Sequence, residues 1–284
     1  MGKPEVSRRR VLFGGLGLGL VGVTAGAGVL PNAPTLRRAE SPTVSVPDVP
    51  RGPYVLDRVY SPARGQYVDL LVMRPAGVTD AALPVCLVLH GRGGTARGYL
   101  QFGLPQFLTA ATGAGVPPFS AVAVDCGRGY YMDRGGDDPM RMLIEEVPRW
   151  LDERGHAAPA AALGFSMGGW GALYYARRRH DLKAVALASP AMFQRWSDAE
   201  SRKSFVDRQQ WQAYEPLRHT DDIAGTPVGL WCGTEDSFAP AAREFTAKFH
   251  PELSAITRGA HNSPYWLRVL PDIMRFIGLH LTPN

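Results

Sequence analysis

The sequence predicts an α/β fold in which a mostly parallel sheet begins with an antiparallel hairpin. Short apolar runs, typical of strands that are buried on both faces, alternate with longer amphipathic stretches that are typical of helices. Ahead of them, residues 54–60 and 67–73 form two strand-like segments around a turn at Pro62 to Gly65. The chain has 284 residues, which is enough for one large domain of this class.

Six further strands are expected after the hairpin. Parallel strands need crossover connections, so we expect helices between them that cover both faces of the sheet. The folded domain is therefore assigned to residues 54–284. The connection at residues 190–223 is rich in aromatic side chains, and it forms either ordinary crossover helices or a cap over a site. The six strands are placed at residues 85–89, 120–124, 160–164, 184–187, 228–231 and 253–256.

The N-terminal region is interpreted as an export signal. A basic stretch ends in Arg8-Arg9-Arg10, and no charged residue follows until after Leu30. Paired arginines before a glycine-rich apolar run resemble the twin-arginine signals that export folded proteins. Residues 1–30 are thus predicted to be a signal peptide, or a retained membrane anchor, since an uncharged stretch of about 20 residues can span a bilayer. This predicts a secreted or cell-envelope protein, with any envelope association made through residues 1–30.

The charge distribution gives no reason to expect a nucleic-acid partner. The net charge is +5, but residues 1–40 hold six basic and two acidic residues, a net +4, which leaves +1 for residues 41–284. Residues 31–53 contain six prolines among small polar residues, a composition typical of an extended linker. Nothing in the sequence implies an obligate protein partner.

The three cysteines, Cys86, Cys126 and Cys232, are too widely spaced for a metal site. Each lies in or beside an apolar run, so we interpret them as buried small side chains. Formation of one disulfide after export is the alternative, and the sequence does not say which two cysteines would pair. The sequence has no glycine-rich phosphate loop, no HExxH helix and no Cys/His ligand spacing. No cofactor or metal is therefore expected.

A strand, a sharp turn and a helix surround Ser166. The motif Gly164-Phe165-Ser166-Met167-Gly168 follows an apolar strand, and a helical pattern that ends in three arginines comes after it. This context is typical of the nucleophile elbow of α/β-hydrolases, where a strained turn exposes the serine at the beginning of a helix. We therefore interpret Ser166 as a nucleophile rather than as a serine in an ordinary tight turn.

The partners of such a serine are expected later in the chain, first the acid and then the histidine. Asp236 ends a strand-loop transition, and His261 follows the next predicted strand. Asp236, rather than its neighbour Glu235, is assigned as the residue that orients His261. For His261, a purely structural role is the competing interpretation.

Acyl transfer also needs N–H groups that stabilise the oxyanion, at roughly 3–4 kcal/mol per donor. The motif His90-Gly91-Arg92-Gly93-Gly94 follows a predicted strand. We assign the backbone N–H groups of Arg92 and Met167 as the two donors. His90 would hold the loop by a hydrogen bond, and the Arg92 side chain is either solvated or functional.

With these residues assembled, the chain from about Tyr54 onwards resembles the esterase D family of α/β-hydrolases, which also includes the secreted mycolyltransferases. The resemblance rests on residues 164–169, on Asp236-Ser237-Phe238, and on residues 259–261 followed by Tyr265-Trp266. It implies that the segment from Asp125 to Tyr131 lines the acyl site. The mycolyltransferase branch usually carries Glu as its acid, whereas this chain has Asp236.

These observations predict an exported serine esterase that hydrolyses lipid or short-chain acyl esters through an acyl-serine intermediate. Two alternatives remain open. The same acyl-enzyme could transfer its acyl group to a sugar or glycerol, as an acyltransferase does. A non-catalytic envelope protein on a hydrolase scaffold is the alternative without chemistry.

Overall fold

The computed structural model describes residues 45–79 and 82–282. The predicted signal at residues 1–30 and most of the predicted linker lie outside the described residues. One part of the linker lies inside them: Val46 packs against the hydrophobic core, and the carbonyl of Pro53 accepts a hydrogen bond from the amide of Arg74 at 2.9 Å. Packed structure therefore begins before Tyr54. The high proline content of this region had predicted an extended linker instead, because a single apolar residue such as Val46 does not form a recognisable pattern.

The sheet has eight strands in the order β1-β2-β4-β3-β5-β6-β7-β8. The β1–β2 and β2–β4 pairs are antiparallel, and the remaining pairs are parallel. The prediction of a mostly parallel sheet with an N-terminal hairpin is thus confirmed. The strands are β1 (Tyr54–Ser61), β2 (Gln66–Met73), β3 (Val85–Leu89), β4 (Ser120–Val124), β5 (Pro159–Phe165), β6 (Ala184–Ala188), β7 (Val228–Gly233) and β8 (Leu253–Thr257).

Helices cover both faces of the sheet. A π-helical stretch, Met142–Glu146, joins α3 to α4, and two short 3-10 helices, Pro216–Arg218 and Thr220–Ile223, precede β7. The α-helices are α1 (Gly98–Gln101), α2 (Leu104–Gly113), α3 (Pro139–Arg141), α4 (Val147–Asp152), α5 (Met167–Arg178), α6 (Trp196–Ser201), α7 (Arg208–Tyr214), α8 (Ala239–Phe249) and α9 (Ser263–His280).

Two hydrophobic cores lie on opposite faces of the sheet, as the alternation of side chains along a strand requires. In β3, Leu87 points into the core that contains α5 and α8, and Val88 points into the core that contains α2 and α9. Every residue of β3, β4 and β6 is buried. These central strands hold the loops at their carboxyl ends in fixed positions.

The connection between β6 and β7, residues 189–227, is called the crossover segment below. It contains α6, α7 and the two 3-10 helices rather than one long helix. Its aromatic residues are largely internal: Phe205 and Trp211 are buried in the core that contains α5. The aromatic content that suggested a cap is therefore explained by packing on the domain.

All three cysteines are buried free thiols, on β3, after β4 and on β7. The structure thus has no disulfide between them, and the interpretation as small apolar side chains applies. Among the residues that the structure describes, no helix is long and apolar enough to span a membrane.

Candidate active site

Ser166 stands at a strained turn between β5 and α5. Its backbone has φ 56° and ψ −118°, a region that non-glycine residues rarely adopt. The turn requires glycines two positions before and two positions after Ser166. A Cβ at Gly164 would overlap the carbonyl of Gly168, and a Cβ at Gly168 would overlap the carbonyl of Leu89 in β3. This geometry places the Ser166 hydroxyl beyond the end of the sheet.

The structure brings Ser166, His261 and Asp236 into one hydrogen-bonded row. His261 Nε2 lies 2.9 Å from Ser166 Oγ, and His261 Nδ1 lies 2.8 Å from Asp236 Oδ2. The three residues follow β5, β7 and β8, so they come together although up to 95 positions separate them in the chain. The row has the order of groups that activates a serine hydroxyl.

Asp236 is buried in this row and held as a carboxylate. Burial disfavours the charged form, but hydrogen bonds from His261 and from the backbone N–H of Phe238, the latter at 2.9 Å, outweigh burial and lower the pKa of Asp236. Glu235, in contrast, points to solvent and lies 3.8 Å from Arg258. The structure therefore places Asp236, and not Glu235, beside the histidine.

The two residues whose N–H groups are assigned to the oxyanion lie in segments next to Ser166. Met167 is the first residue of α5, and the loop of Arg92 lies against Ser166: a Cβ at Gly91 would lie 3.4 Å from the Ser166 Cβ. Within the described part of the chain, neither Arg92 N nor Met167 N donates a hydrogen bond to a protein acceptor. Both donors are thus available to a substrate oxygen.

The loop of residues 90–95 is supported by the segment that follows β4. The amide of Cys126 donates to His90 Nε2 at 2.9 Å, which makes Nδ1 the protonated nitrogen, and Nδ1 donates to the carbonyl of Gly91. Tyr131 Oη donates to the carbonyl of His90 at 2.7 Å. His90 therefore holds the loop, as expected from the sequence, and burial lowers its pKa and keeps it neutral.

Asp125 completes this support, because its carboxylate accepts the amide of Ala96 at 2.7 Å. Sequence reasoning missed the supporting roles of Asp125, Cys126 and Tyr131. The resemblance implied that this segment lines the acyl site, and the contacts in the structure connect it to the 90–95 loop. The sequence marks this segment only by the adjacent pair Tyr130-Tyr131. In the structure both tyrosines have a positive φ.

An apolar cavity of about 170 Å³ opens beside the 90–95 loop. Tyr99, Phe102 and Phe165 form an aromatic cluster in its wall, with ring centroids 5.5 to 6.5 Å apart. Trp266 joins this wall and packs edge-on against His261 at 5.2 Å. Trp266 therefore connects the wall of the cavity to the histidine.

One protein-family model matches part of the chain. Residues 137–277 match the family model named Esterase, and this range includes Ser166, Asp236 and His261. None of the curated proteins is significantly similar to the chain in sequence.

Several solved structures share the fold. A ferulic acid esterase superimposes with a TM-score of 0.70 at 19% identity, covering 82% of this chain and 99% of its own. An S-formylglutathione hydrolase from Agrobacterium tumefaciens gives 0.68 at 18% identity, with 84% and 99% covered. The fluorophosphonate-binding serine hydrolase F of Staphylococcus aureus gives 0.63 at 16% identity, with 82% and 100% covered.

Proposed function

Since residues 137–277 match the Esterase family model and the chain has an α/β-hydrolase fold, we propose that this protein is a serine esterase with Ser166 as its nucleophile. The observation that carries the proposal is the row of hydrogen bonds from Ser166 through His261 to Asp236, at 2.9 and 2.8 Å. A carboxylic ester is the substrate class that this arrangement suits, and small-molecule and lipid esters both fall within it.

In the proposed mechanism, His261 Nε2 takes the proton of Ser166 while Oγ attacks the ester carbonyl carbon. The carbonyl oxygen becomes an oxyanion between the N–H groups of Arg92 and Met167. The ester C–O bond then breaks, and His261 gives the proton to the leaving alcohol. The acyl-serine reacts with water through the same steps, which releases the acid and restores Ser166.

Water is the proposed acceptor of the acyl group. Ser166 is partly exposed, and residues 92–95 of the 90–95 loop are exposed, so solvent reaches the site. An acyltransferase must keep water away from its acyl-enzyme. Following a labelled short acyl group in the presence of millimolar trehalose or glycerol separates the two: label mostly in the acceptor would overturn hydrolysis.

The cavity beside Trp266 is proposed to hold an apolar part of the ester. Its volume of about 170 Å³ suits a ring or a short chain rather than a long acyl tail. Export through residues 1–30 is proposed on the sequence alone, and it would place this activity outside the cytoplasm or at the cell envelope.

A fluorophosphonate probe tests the assignment of Ser166. We expect intact mass to show one adduct per chain, peptide mapping to place it on Ser166, and Ser166→Ala to lower kcat by about 10⁶ with the fold retained. The exposed Ser254 on β8 provides the control, since Ser254→Ala leaves labelling and turnover unchanged. An adduct on another serine, or no adduct on the folded protein, would refute the proposal.

A further inference from the structure

We propose that the ester carries an anionic group, a carboxylate or a phosphate, which Arg92 and Arg202 bind at the mouth of the active site. This inference rests on the proposed esterase function and names the substrate class for the same site. It starts from the guanidinium groups of these two exposed arginines, which have no carboxylate partner in the described part of the chain.

The two arginines connect the loops on either side of the site. Arg92 belongs to the 90–95 loop, and its Nη1 donates to the carbonyl of Arg202 at 2.6 Å. Arg202, on the crossover segment, directs Nη2 to Ser237 Oγ at 3.3 Å. Ser237 directly follows Asp236. The two arginines and their hydrogen bonds thus connect the 90–95 loop, which holds one proposed oxyanion donor, to the loop that holds Asp236.

Arg202 also lies close to the reacting groups. Its Cζ is 4.7 Å above the ring centroid of Phe238, and the Phe238 ring is 5.2 Å from the ring of His261. Only one aromatic ring therefore separates this cation from the histidine. An ester that is bound at Ser166 and extends past His261 on the Phe238 side reaches the Arg202 guanidinium.

The charges of the two arginines are not neutralised. In the described part of the chain, no carboxylate oxygen lies within 4.0 Å of either guanidinium, whereas nearby Arg195 pairs with Asp198 at 3.1 Å. Both side chains are exposed, and each uses one of its five N–H donors in the contacts above. A carboxylate or phosphate accepts several such donors at once.

The opposite side of His261 is apolar. Trp266 contacts the histidine there and opens to the aromatic cavity, while Phe238 and Arg202 lie on the other side. A bound ester would therefore place an apolar part in the cavity and a charged end at the arginines. This division predicts a substrate that is apolar at one end and anionic at the other.

Matched ester pairs test the inference. The acyl pair is 4-nitrophenyl hexanoate and mono-4-nitrophenyl adipate, which differ in one terminal carboxylate. The alcohol pair is 4-ethylphenyl butyrate and 4-(carboxymethyl)phenyl butyrate, and a phosphonomethyl analogue distinguishes phosphate-like from carboxylate recognition. We expect kcat/KM to be higher for the anionic member of at least one pair, and the preference to decline with added NaCl because salt screens exposed charges.

Variants of Arg202 locate the effect. Arg202→Gln should lower the ratio of anionic to neutral kcat/KM by about fivefold, and Arg202→Glu by more, because an exposed ion pair contributes on this scale. Arg208→Gln removes an equal charge from the same segment at an exposed residue, and it should keep the ratio. A preference for the neutral ester in both pairs, or a ratio insensitive to Arg202 and to salt, overturns the inference. Absence of turnover with every ester and of a fluorophosphonate adduct would instead refute the esterase proposal.

Discussion

At the scale of single residues, the two adjacent carboxylates Glu235 and Asp236 have different surroundings. Asp236 is 4% exposed and bonded to His261, whereas the Glu235 side chain is 62% exposed. A buried partner can hold an imidazole in one tautomer and stabilise the imidazolium that forms during attack. The exposed Glu235 side chain does not contact the imidazole of His261 and cannot fix its tautomer.

Asp236→Asn is therefore expected to lower kcat by about 10⁴, the cost of the equivalent change in the serine protease that serves as the standard example. The amide would present a donor where His261 Nδ1 needs an acceptor. Glu235→Gln is the matched control, with kcat within about twofold of the wild type. Steady-state kinetics on one nitrophenyl ester suffices, and a large loss in Glu235→Gln with a mild Asp236→Asn would exchange the two roles.

Sequence reasoning found the chemical groups of the site but not their supports. Ser166, Asp236 and His261 could be located because each follows a recognisable strand. The strand before Ser166 and the helix after it also give its short motif the context of a nucleophile elbow. Tyr131 and Cys126 act through a hydroxyl and a backbone amide on backbone or ring atoms of another loop. Such contacts leave no spacing pattern, so only the folded chain reveals them.

At the scale of elements, the packing of α5 against β3 depends on the absence of a side chain. Gly168, in the first turn of α5, passes so close to Leu89 that a Cβ there would overlap its carbonyl. Gly113, the last residue of α2, has open space around its Cβ position and no positive φ. The two glycines thus differ in packing while both lie in helices.

Gly168→Ala is expected to destabilise the protein by roughly 1–3 kcal/mol or more, the usual cost of overpacking a core, and to displace Ser166. Gly113→Ala should be neutral or stabilising by up to about 1 kcal/mol, since alanine favours helix. Urea unfolding monitored by circular dichroism measures both. Equal effects of the two changes would show that the contact with β3 does not limit this helix.

The crossover segment contains a carboxyl group that is fully buried. Burial raises the pKa of Glu215 to about 8. The indole N–H groups of Trp170 and Trp211 lie nearby and favour the charged form, but their geometry is not that of a formed hydrogen bond. Glu215 therefore keeps its proton in the native state over a range in which the unfolded chain releases it.

This difference makes stability depend on pH. Between about pH 4.5, where the unfolded chain ionises, and about pH 8, the native state holds more protons than the unfolded state, so the free energy of unfolding falls as pH rises. Glu215→Gln removes this contribution. The unfolding free energy of the variant, relative to that of the wild type, should therefore increase by up to about 1.4 kcal/mol per pH unit across that range. Urea unfolding at pH 5 to 9 measures it. Exposed Glu200→Gln is the control, and parallel curves for wild type and Glu215→Gln would contradict the expectation.

At the scale of the whole molecule, the fold was predictable because four of its strands, β3, β4, β6 and β7, are fully buried and appear as continuous apolar runs. The order of the strands was not, since pairing β3 between β4 and β5 depends on contacts between distant parts of the chain. The packing of Val46 was missed for a different reason. One apolar side chain among prolines has no periodicity from which its burial could be inferred.

The proposed export is another property of the whole chain, and we expect it to depend on Arg8 and Arg9. Replacing both with lysine in a fusion of residues 1–30 to a folded reporter should abolish export, because the twin-arginine route distinguishes arginine from lysine at these positions. Fractionation followed by immunoblotting measures the exported share. Continued export of the variant would favour the general secretory route.

The burial of Cys86, Cys126 and Cys232 has a practical consequence for studying this chain in solution. Burial raises the pKa of all three thiols, that of Cys232 to about 12, so little thiolate is present near neutral pH. A cysteine introduced at an exposed position such as Thr95 would then be the only thiol that reacts quickly with a maleimide. A fluorophore could be attached at the rim of the catalytic cleft without first removing the native cysteines.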